Sequence, residues 1–409
     1  MKAIKNRVKQ NIQHIYEEDD SPEVMKNLGI DTIVGSAKFI EDNVIEVTRK
    51  STDDGKGDCI TVNAKDGVLI CTGASPKVPG IAGLNSIEYL TYEHAFDVEE
   101  VPNSLTVVGG GPIGVELAQS YSRLGAKVTI IAERLLPREE PEAGEALRRV
   151  FEKEGIRIVS SRLSSVQATG KGIDKESSHI ATCQNGEAVN GDSMLIAMGR
   201  APVVEGMNLS EMGVELNKLG GIKVDKKLAT TAKGIYAAGD CTGYQQYTHY
   251  AGYQGAVGAR NILLPLSDPG LMKFVPGTTF TDPQVASVGM TEADAVDEYG
   301  NGKIAVAFKA IKETDRGICD NVDEGYIKIV YLKRGYKILG ACIMSPVAGE
   351  SIAEISVAMK AGMSFDQLAT VIHTYPSHSF AIQAMAAELY YDKLVKLKPI
   401  LNLLKWFGL

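Results

Sequence analysis

The chain has 409 residues, 44% of them hydrophobic, 42 glycines and a formal net charge of −8. That length accommodates two or three domains of α/β character, and the acidic balance argues against a nucleic-acid partner. No apolar run reaches the ~18 residues of a membrane span, and the opening residues lack the apolar segment of a secretory signal.

The chain opens with Ile4, Val8, Ile12 and Ile15 at helical spacing, which predicts an amphipathic helix over residues 1–16. Ser21-Pro22-Glu23 reads as the cap and first turn of a short helix ending at Gly29. Residues 32–47 and 59–62 alternate as antiparallel strands do, with TDDGKG as the turn between them. An apolar strand from Gly67 then stops at Thr72-Gly73, and Pro76 follows.

The stretch 105–138 carries the strongest signal. Leu105, Val107 and Val108 predict a short buried parallel strand. Gly109, Gly111 and Gly114 follow with the spacing G-x-G-x-x-G. The first permits the tight turn, the second admits a pyrophosphate to the backbone, and the third lets helix pack on strand. A helix over 115–124 shows Leu117, Ala118, Tyr121 and Leu124 on one face, Gly125 stops it, and a second strand covers 128–131. A βαβ unit in this form points to a dinucleotide on the N–H groups that begin the helix. The second strand closes on Ala132, followed by Glu133 and Arg134, with Arg138 a turn further on. An acid there favours NAD and an arginine NADP, so NADPH is the favoured coenzyme and NAD the alternative.

Leu147, Val150 and Phe151 stripe a helix ending at Gly155, residues 156–159 read as the next strand, and 163–192 as a three-stranded meander. At 193–202 the pattern of 67–76 returns, an apolar strand followed by glycine and then proline. Such repetition suggests internal duplication of a nucleotide-binding unit. Residues 234–241 form a strand ending in Gly239-Asp240, where ligand-binding carboxylates sit in open α/β sheets. A glycine-dotted helix (250–264) and a proline- and glycine-rich linker (265–276) follow. Beyond them, strands at 278–280, 303–309, 325–331 and 337–344 with helices at 291–299 and 350–362 describe an α+β domain. The tail 394–409 is apolar with interspersed lysines, which suits either a helix at a membrane interface or one folded on the protein surface. The six cysteines are scattered without redox or zinc spacing, so they read as small hydrophobes in a reducing compartment, and no metal site is expected.

Together, ICTGASPKVPG (70–80), VVGGGPIGVELAQ (107–119), AMGRAP (197–202), GIYAAGDC (234–241) and TTFTDPQVASVGMTE (278–292) resemble the flavin-dependent pyridine nucleotide-disulfide oxidoreductases. REEPEAGEAL (138–147) and HTYPSH (373–378) look most like mercuric reductase within that family. The resemblance implies two Rossmann-like nucleotide-binding domains, the first incomplete, plus a C-terminal α+β dimerisation domain. It divides the chain into an FAD-domain remnant (1–78), an NAD(P) domain (79–200), the second FAD segment (201–272), the interface domain (273–392) and an amphipathic tail (393–409).

The same resemblance implies a homodimer that binds FAD and NADP and serves a small-molecule electron acceptor. Thr72, Gly73, Gly239 and Asp240 then lie near the flavin nucleotide, and Gly199 and Arg200 near NAD(P)H. Glu116 matches a glutamate that normally pairs with a lysine beside the redox disulfide. Tyr375 stands where the family's acid-base histidine usually lies, and Phe380 where its orienting glutamate lies, with His373 and His378 as stand-ins. The family's first glycine fingerprint and its C-x-x-x-x-C dithiol do not occur in these 409 residues. Three readings follow: a flavin oxidoreductase, a coenzyme-binding dimer without turnover, and, favoured as the account of the gap, a complete flavoenzyme whose start lies upstream. The compartment stays unassigned.

Overall fold

The computed structural model describes residues 1–49, 58–170 and 178–406, and it is mixed α/β throughout. The expected turn at 51–57 and the end of the tail at 407–409 lie outside the described residues. The chain divides into two compact units, one of Met1–Pro79, Leu90–Val101 and Met198–Lys273, the other of Gly80–Tyr89, Pro102–Ala197 and Phe274–Leu409.

In the first unit the opening helix is Lys2–Ile15, and it buries none of its residues. Its isoleucines face solvent, and Lys5 Nζ ties it down by donating to the Asp97 carbonyl at 2.6 Å. Ser21 accepts from the Val24 N–H and so caps the short helix Pro22–Asn27, as its sequence signals. The expected strand over 32–47 is instead a hairpin, Ser36–Glu41 and Val44–Thr48, because Asn43 turns the chain at φ 57°. Cys59–Asn63 completes this antiparallel meander.

Val68–Ile70 and Ile235–Ala237 form a parallel pair. The helix Thr248–Leu263 packs closely on it, since a Cβ on Gly258 would meet Leu69 Cδ1 at 2.8 Å. Phe39, Ile70, Leu228, Ile235, Ala237 and Cys241 make the core here. The expected linker is pinned rather than free: Asn261 brackets Asp268 with two backbone bonds of 2.8 and 2.9 Å, and Gly270 N–H donates to the Lys226 carbonyl.

The second unit contains a fully parallel sheet in the order Ser193–Ile196, Ser104–Val108, Lys127–Ile131, Arg157–Val159. Its strands are short, continuous apolar runs because helices cover the sheet. The helix Pro112–Arg123 buries Val115, Leu117, Ala118 and Tyr121, each large apolar side chain adding roughly 1.5–3 kcal/mol. Leu124, expected on that face, is the C-cap and is exposed. Pro141–Lys153 buries Ala143, Ala146, Leu147 and Phe151. The meander Leu163–Ala168, His179–Cys183, Ala188–Gly191 follows.

The C-terminal domain is a five-stranded antiparallel sheet ordered Gly277–Thr279, Gln284–Gly289, Ile338–Ser345, Tyr326–Leu332, Ile304–Ala310. The second of these strands was not expected, because Asp282-Pro283 and Gly289 frame it like a loop. Ala348–Ala361 and the long helix Phe380–Trp406 cover the sheet around Ile329, Ile343, Ile355, Phe365 and Ile382. The tail is therefore no separate element but the continuation of a helix begun at Phe380. No helix among the described residues is long and apolar enough to cross a membrane.

Candidate functional site

The turn 109–114 is built by contacts that only glycine permits. Gly109 adopts φ 121°, outside the range of most side chains. A Cβ on Gly110 would lie 2.3 Å from the Arg134 carbonyl oxygen, and one on Gly114 would lie 2.2 Å from that of Gly109. Gly111 differs, because a Cβ there would meet nothing within 4 Å. It is the N-cap of Pro112–Arg123, it offers no side chain to the helix start, and Pro112 at the first position has no N–H. The remaining first-turn N–H groups receive no side-chain cap and lie at the positive end of the helix dipole. A space that a Cβ would enter, at a helix start with no side-chain cap, fits a coenzyme pyrophosphate.

Beside this turn, Leu136 N–H donates to the Gly110 carbonyl at 2.7 Å, so segment 132–136 is fastened to the glycines. Ala132 closes the strand and is buried. Glu133 is exposed and engaged by Arg162 at 2.7 Å. Arg134 and Arg138 are exposed, and among the described residues neither forms an ion pair.

Glu116 lies one helical turn on and is partly buried. Its Oε1 accepts from the Phe280 N–H at 2.7 Å. Burial pushes its carboxyl above the usual range, and that N–H only partly offsets the effect. Gln119 reads the backbone of Asp282 with both its amide atoms at 2.8 Å, and Arg123 pairs with Asp282 at 2.9 Å and with Glu154 at 2.6 Å. Glu116, Gln119 and Arg123 lie at helical spacing, so one face of the helix Pro112–Arg123 grips residues 280–282. Gln119 and Asp282 escaped the sequence reading, although a glutamine buried in an apolar helix face is a signal in itself.

A buried cation ties the same region together. Lys328, 3% exposed, sits on the strand Tyr326–Leu332 with Nζ 3.0 Å from Glu140, 2.8 Å from Glu142 and 2.9 Å from Glu292. Burial alone would lower its pKa, but the three carboxylates more than offset this and hold it charged. Glu140 Oε1 also accepts the Glu292 N–H at 2.7 Å. One lysine in the otherwise apolar YIKIVYL was the available clue.

In the first unit, Thr72, Gly73, Gly239 and Asp240 gather at the carboxyl ends of the parallel pair. Thr72 Oγ1 donates to the Val203 carbonyl at 2.7 Å, and Gly239 N–H to Gln254 at 2.8 Å. Arg200, read as a coenzyme neighbour, pairs with Asp240 at 2.9 Å and also donates to the Gln246 carbonyl. Gly199, with φ 107°, accepts from the Lys77 N–H. These strand-end groups suit the ribityl and phosphate end of a flavin nucleotide. The chain supplies no second glycine fingerprint for the diphosphate, so only part of FAD is matched.

Tyr375 is exposed and donates to Asp315 at 2.9 Å, and that bond raises the phenol pKa further from a base's range. Both ring nitrogens of His373 are engaged, one by Glu354 and one by the Val371 carbonyl, each at 2.7 Å. His378 holds Asp320 at 3.0 Å through Nε2, while its buried Nδ1 has no partner among the described residues.

Residues 5–255 match the pyridine nucleotide-disulphide oxidoreductase family, and residues 275–386 match its dimerisation domain. The chain is 32% identical over 372 residues to a mercuric reductase of Bacillus cereus, which covers 90% of this chain but 56% of that protein. It is 29% identical over 366 residues to an NAD(P)H dehydrogenase (quinone) of Mycobacterium tuberculosis, covering 89% and 73%. The HOCl-induced flavoprotein disulfide reductase RclA of Escherichia coli shares the fold with a TM-score of 0.81 at 25% identity, over 93% of this chain and 84% of that one. The chain thus spans little more than half the length of the first of these relatives. On these matches and this geometry, the chain belongs to the pyridine nucleotide-disulphide oxidoreductase family.

Proposed function

We propose that this chain binds NADPH at the turn 109–114 and acts in an FAD-dependent oxidoreductase dimer that passes electrons to a small-molecule acceptor. The observation that carries the coenzyme assignment is the uncapped start of Pro112–Arg123, beyond an N-cap glycine whose Cβ position is open space. The NADPH preference rests on the side chains beside it: Glu133 is engaged by Arg162, which leaves Arg134 and Arg138 for a 2′-phosphate. Arg–phosphate pairing is charge-assisted and bidentate, so two arginines suffice to discriminate the coenzymes.

FAD, when bound, supplies the hydride acceptor. Thr72, Gly73, Gly239 and Asp240 would hold its ribityl and phosphate end. Asp240 keeps its charge compensated by Arg200, which orients the carboxylate at the strand end. Tyr375 and the two histidines are proposed as proton-handling candidates, and of these only His378 has a ring nitrogen with no partner among the described residues. Self-association through the C-terminal domain is supported by the dimerisation-domain match and by exposed Ile372 (91%) and Val357 (67%).

The alternative reading, a coenzyme-binding dimer without turnover, is favoured by one observation: these 409 residues carry one glycine fingerprint, for the coenzyme, and no second one for a flavin diphosphate. The test is to purify the full chain, titrate it by calorimetry with NADPH and NADH, and record its flavin absorption. Tighter binding of NADPH supports the coenzyme assignment, and a yellow protein that oxidises NADPH supports the oxidoreductase. Absence of binding to either coenzyme in a folded sample would refute both readings.

A further inference from the structure

Of the two arginines proposed to read the 2′-phosphate, Arg138 stands on a short bridge pinned at both ends. At one end the Leu136 N–H is bonded to the Gly110 carbonyl at 2.7 Å, and Leu135 and Leu136 are buried. At the other end Glu140, 4% exposed in its side chain, is bonded to Lys328 at 3.0 Å and to the Glu292 N–H at 2.7 Å. Arg138 lies between these anchors, exposed, two residues from each. The helix that follows Glu140 is fastened to the same strand region, with Arg149 meeting Glu324 through two bonds of 3.0 and 3.1 Å. Three carboxylates around one ammonium exceed what neutralising a single buried lysine requires. What the arrangement adds is a fixed position for the chain entering it.

We propose that Lys328 is a positioning residue for coenzyme recognition: by fixing Glu140 it holds Arg138, which with Arg134 takes the 2′-phosphate of NADPH. This rests on the NADPH reading above. The physical reason is entropic. An exposed arginine on a free loop must be ordered when it binds phosphate, whereas one on a bridge with both ends fixed has lost most of that freedom already. The pyrophosphate contact depends on the glycine turn alone and is insensitive to the lysine, so the effect falls on the 2′-phosphate.

The test compares 2′,5′-ADP with 5′-AMP by calorimetry on the full chain, in wild type, Arg134→Ala/Arg138→Ala, Lys328→Met and Lys328→Arg. The expected result is a preference for 2′,5′-ADP that the arginine double variant abolishes. Lys328→Met should reduce that preference at least ~5-fold, a modest coupling between linked sites, with 5′-AMP affinity unchanged and Lys328→Arg restoring most of it. Glu142→Gln and Glu292→Gln, whose carboxylates are half-exposed, decide the matter if the methionine variant does not fold, and each should cost part of the preference. If the preference survives in the lysine and glutamate variants while the arginine variant loses it, the inference is overturned and the NADPH reading stands. If wild type binds the two nucleotides equally, the NADPH reading falls and the inference with it.

Discussion

Alanine at Gly111 and alanine at Gly114 should separate coenzyme binding from folding. At Gly114 the new methyl would lie 2.2 Å from the Gly109 carbonyl oxygen, more than 1 Å inside ordinary contact, and that oxygen is backbone. Strand and helix must part to admit it, at about 1–3 kcal/mol, and the melting temperature should fall by several degrees. At Gly111 the backbone is φ −75°, ψ 176°, which alanine adopts freely, and the methyl meets no atom of the protein. Removing glycine from the unfolded chain stabilises by about 0.4–1 kcal/mol, and alanine's poorer N-capping offsets much of that. Stability should therefore change by less than ~1 kcal/mol. The methyl nevertheless occupies the space assigned to the pyrophosphate. Loss of one hydrogen bond to a charged group, about 1.5–3 kcal/mol, weakens NADPH binding by roughly 10- to 150-fold. Calorimetric titration and a thermal melt on each variant measure the two effects. NADPH binding to Gly111→Ala at wild-type affinity would refute the placement of the coenzyme, and a melt lowered as far as that of Gly114→Ala would refute the claim of open space.

Glu116→Gln keeps an acceptor for the Phe280 N–H and removes a charge that burial disfavours. Because the folded-state pKa is raised, this group's stabilising contribution is complete below about pH 4.5 and is lost as pH rises through the folded value. The variant should then melt at or above wild type at pH 7 and gain nothing at pH 4, and a lower melt at both pH values would refute this. His373 is partly buried, which disfavours its charge, but Glu354 and the Val371 carbonyl more than compensate, so its pKa also lies above 6.5. Its contribution should be complete below about pH 6.5 and fade as pH rises, and His373→Gln should flatten the stability profile between pH 6 and 8. Ile372→Glu should leave the melt of the monomer unchanged and weaken self-association at least ~10-fold by sedimentation, since it places an unpaired charge in an apolar contact.

What was legible in the sequence depended on how far apart the cooperating residues lie. The strand–turn–helix at 104–123 could be read because its causes are local: three glycines, an apolar run before them and a 3.6-residue stripe after. The repeated pattern at 67–76 and 193–202 was equally visible, but its three-dimensional meaning was not. The two segments end by pairing with each other, Ala74 opposite Pro202 and Pro76 opposite Arg200, in an antiparallel ribbon that joins strands over 120 residues apart. No spacing rule encodes that pairing. The strand Gln284–Gly289 was masked by its flanking proline and glycine, and the start of the helix at Phe380 by the polar run HTYPSHS before it.

The candidate site divides in the same way. The glycines, Arg134 and the strand-end Asp240 announce themselves by position along one element. Gln119, Asp282, Glu140 and Lys328 do not, because their value lies in partners up to 188 positions distant. An inward lysine in a strand is costly when unpaired, so Lys328 had to have anionic partners somewhere. The sequence could show that a debt of charge existed at residue 328, and only the fold could show that Glu140, two residues beyond Arg138, helps to settle it. Local chemistry therefore marks the turn where a phosphate is proposed to sit, while the long-range ion cluster fixes Glu140 in the chain just beyond it.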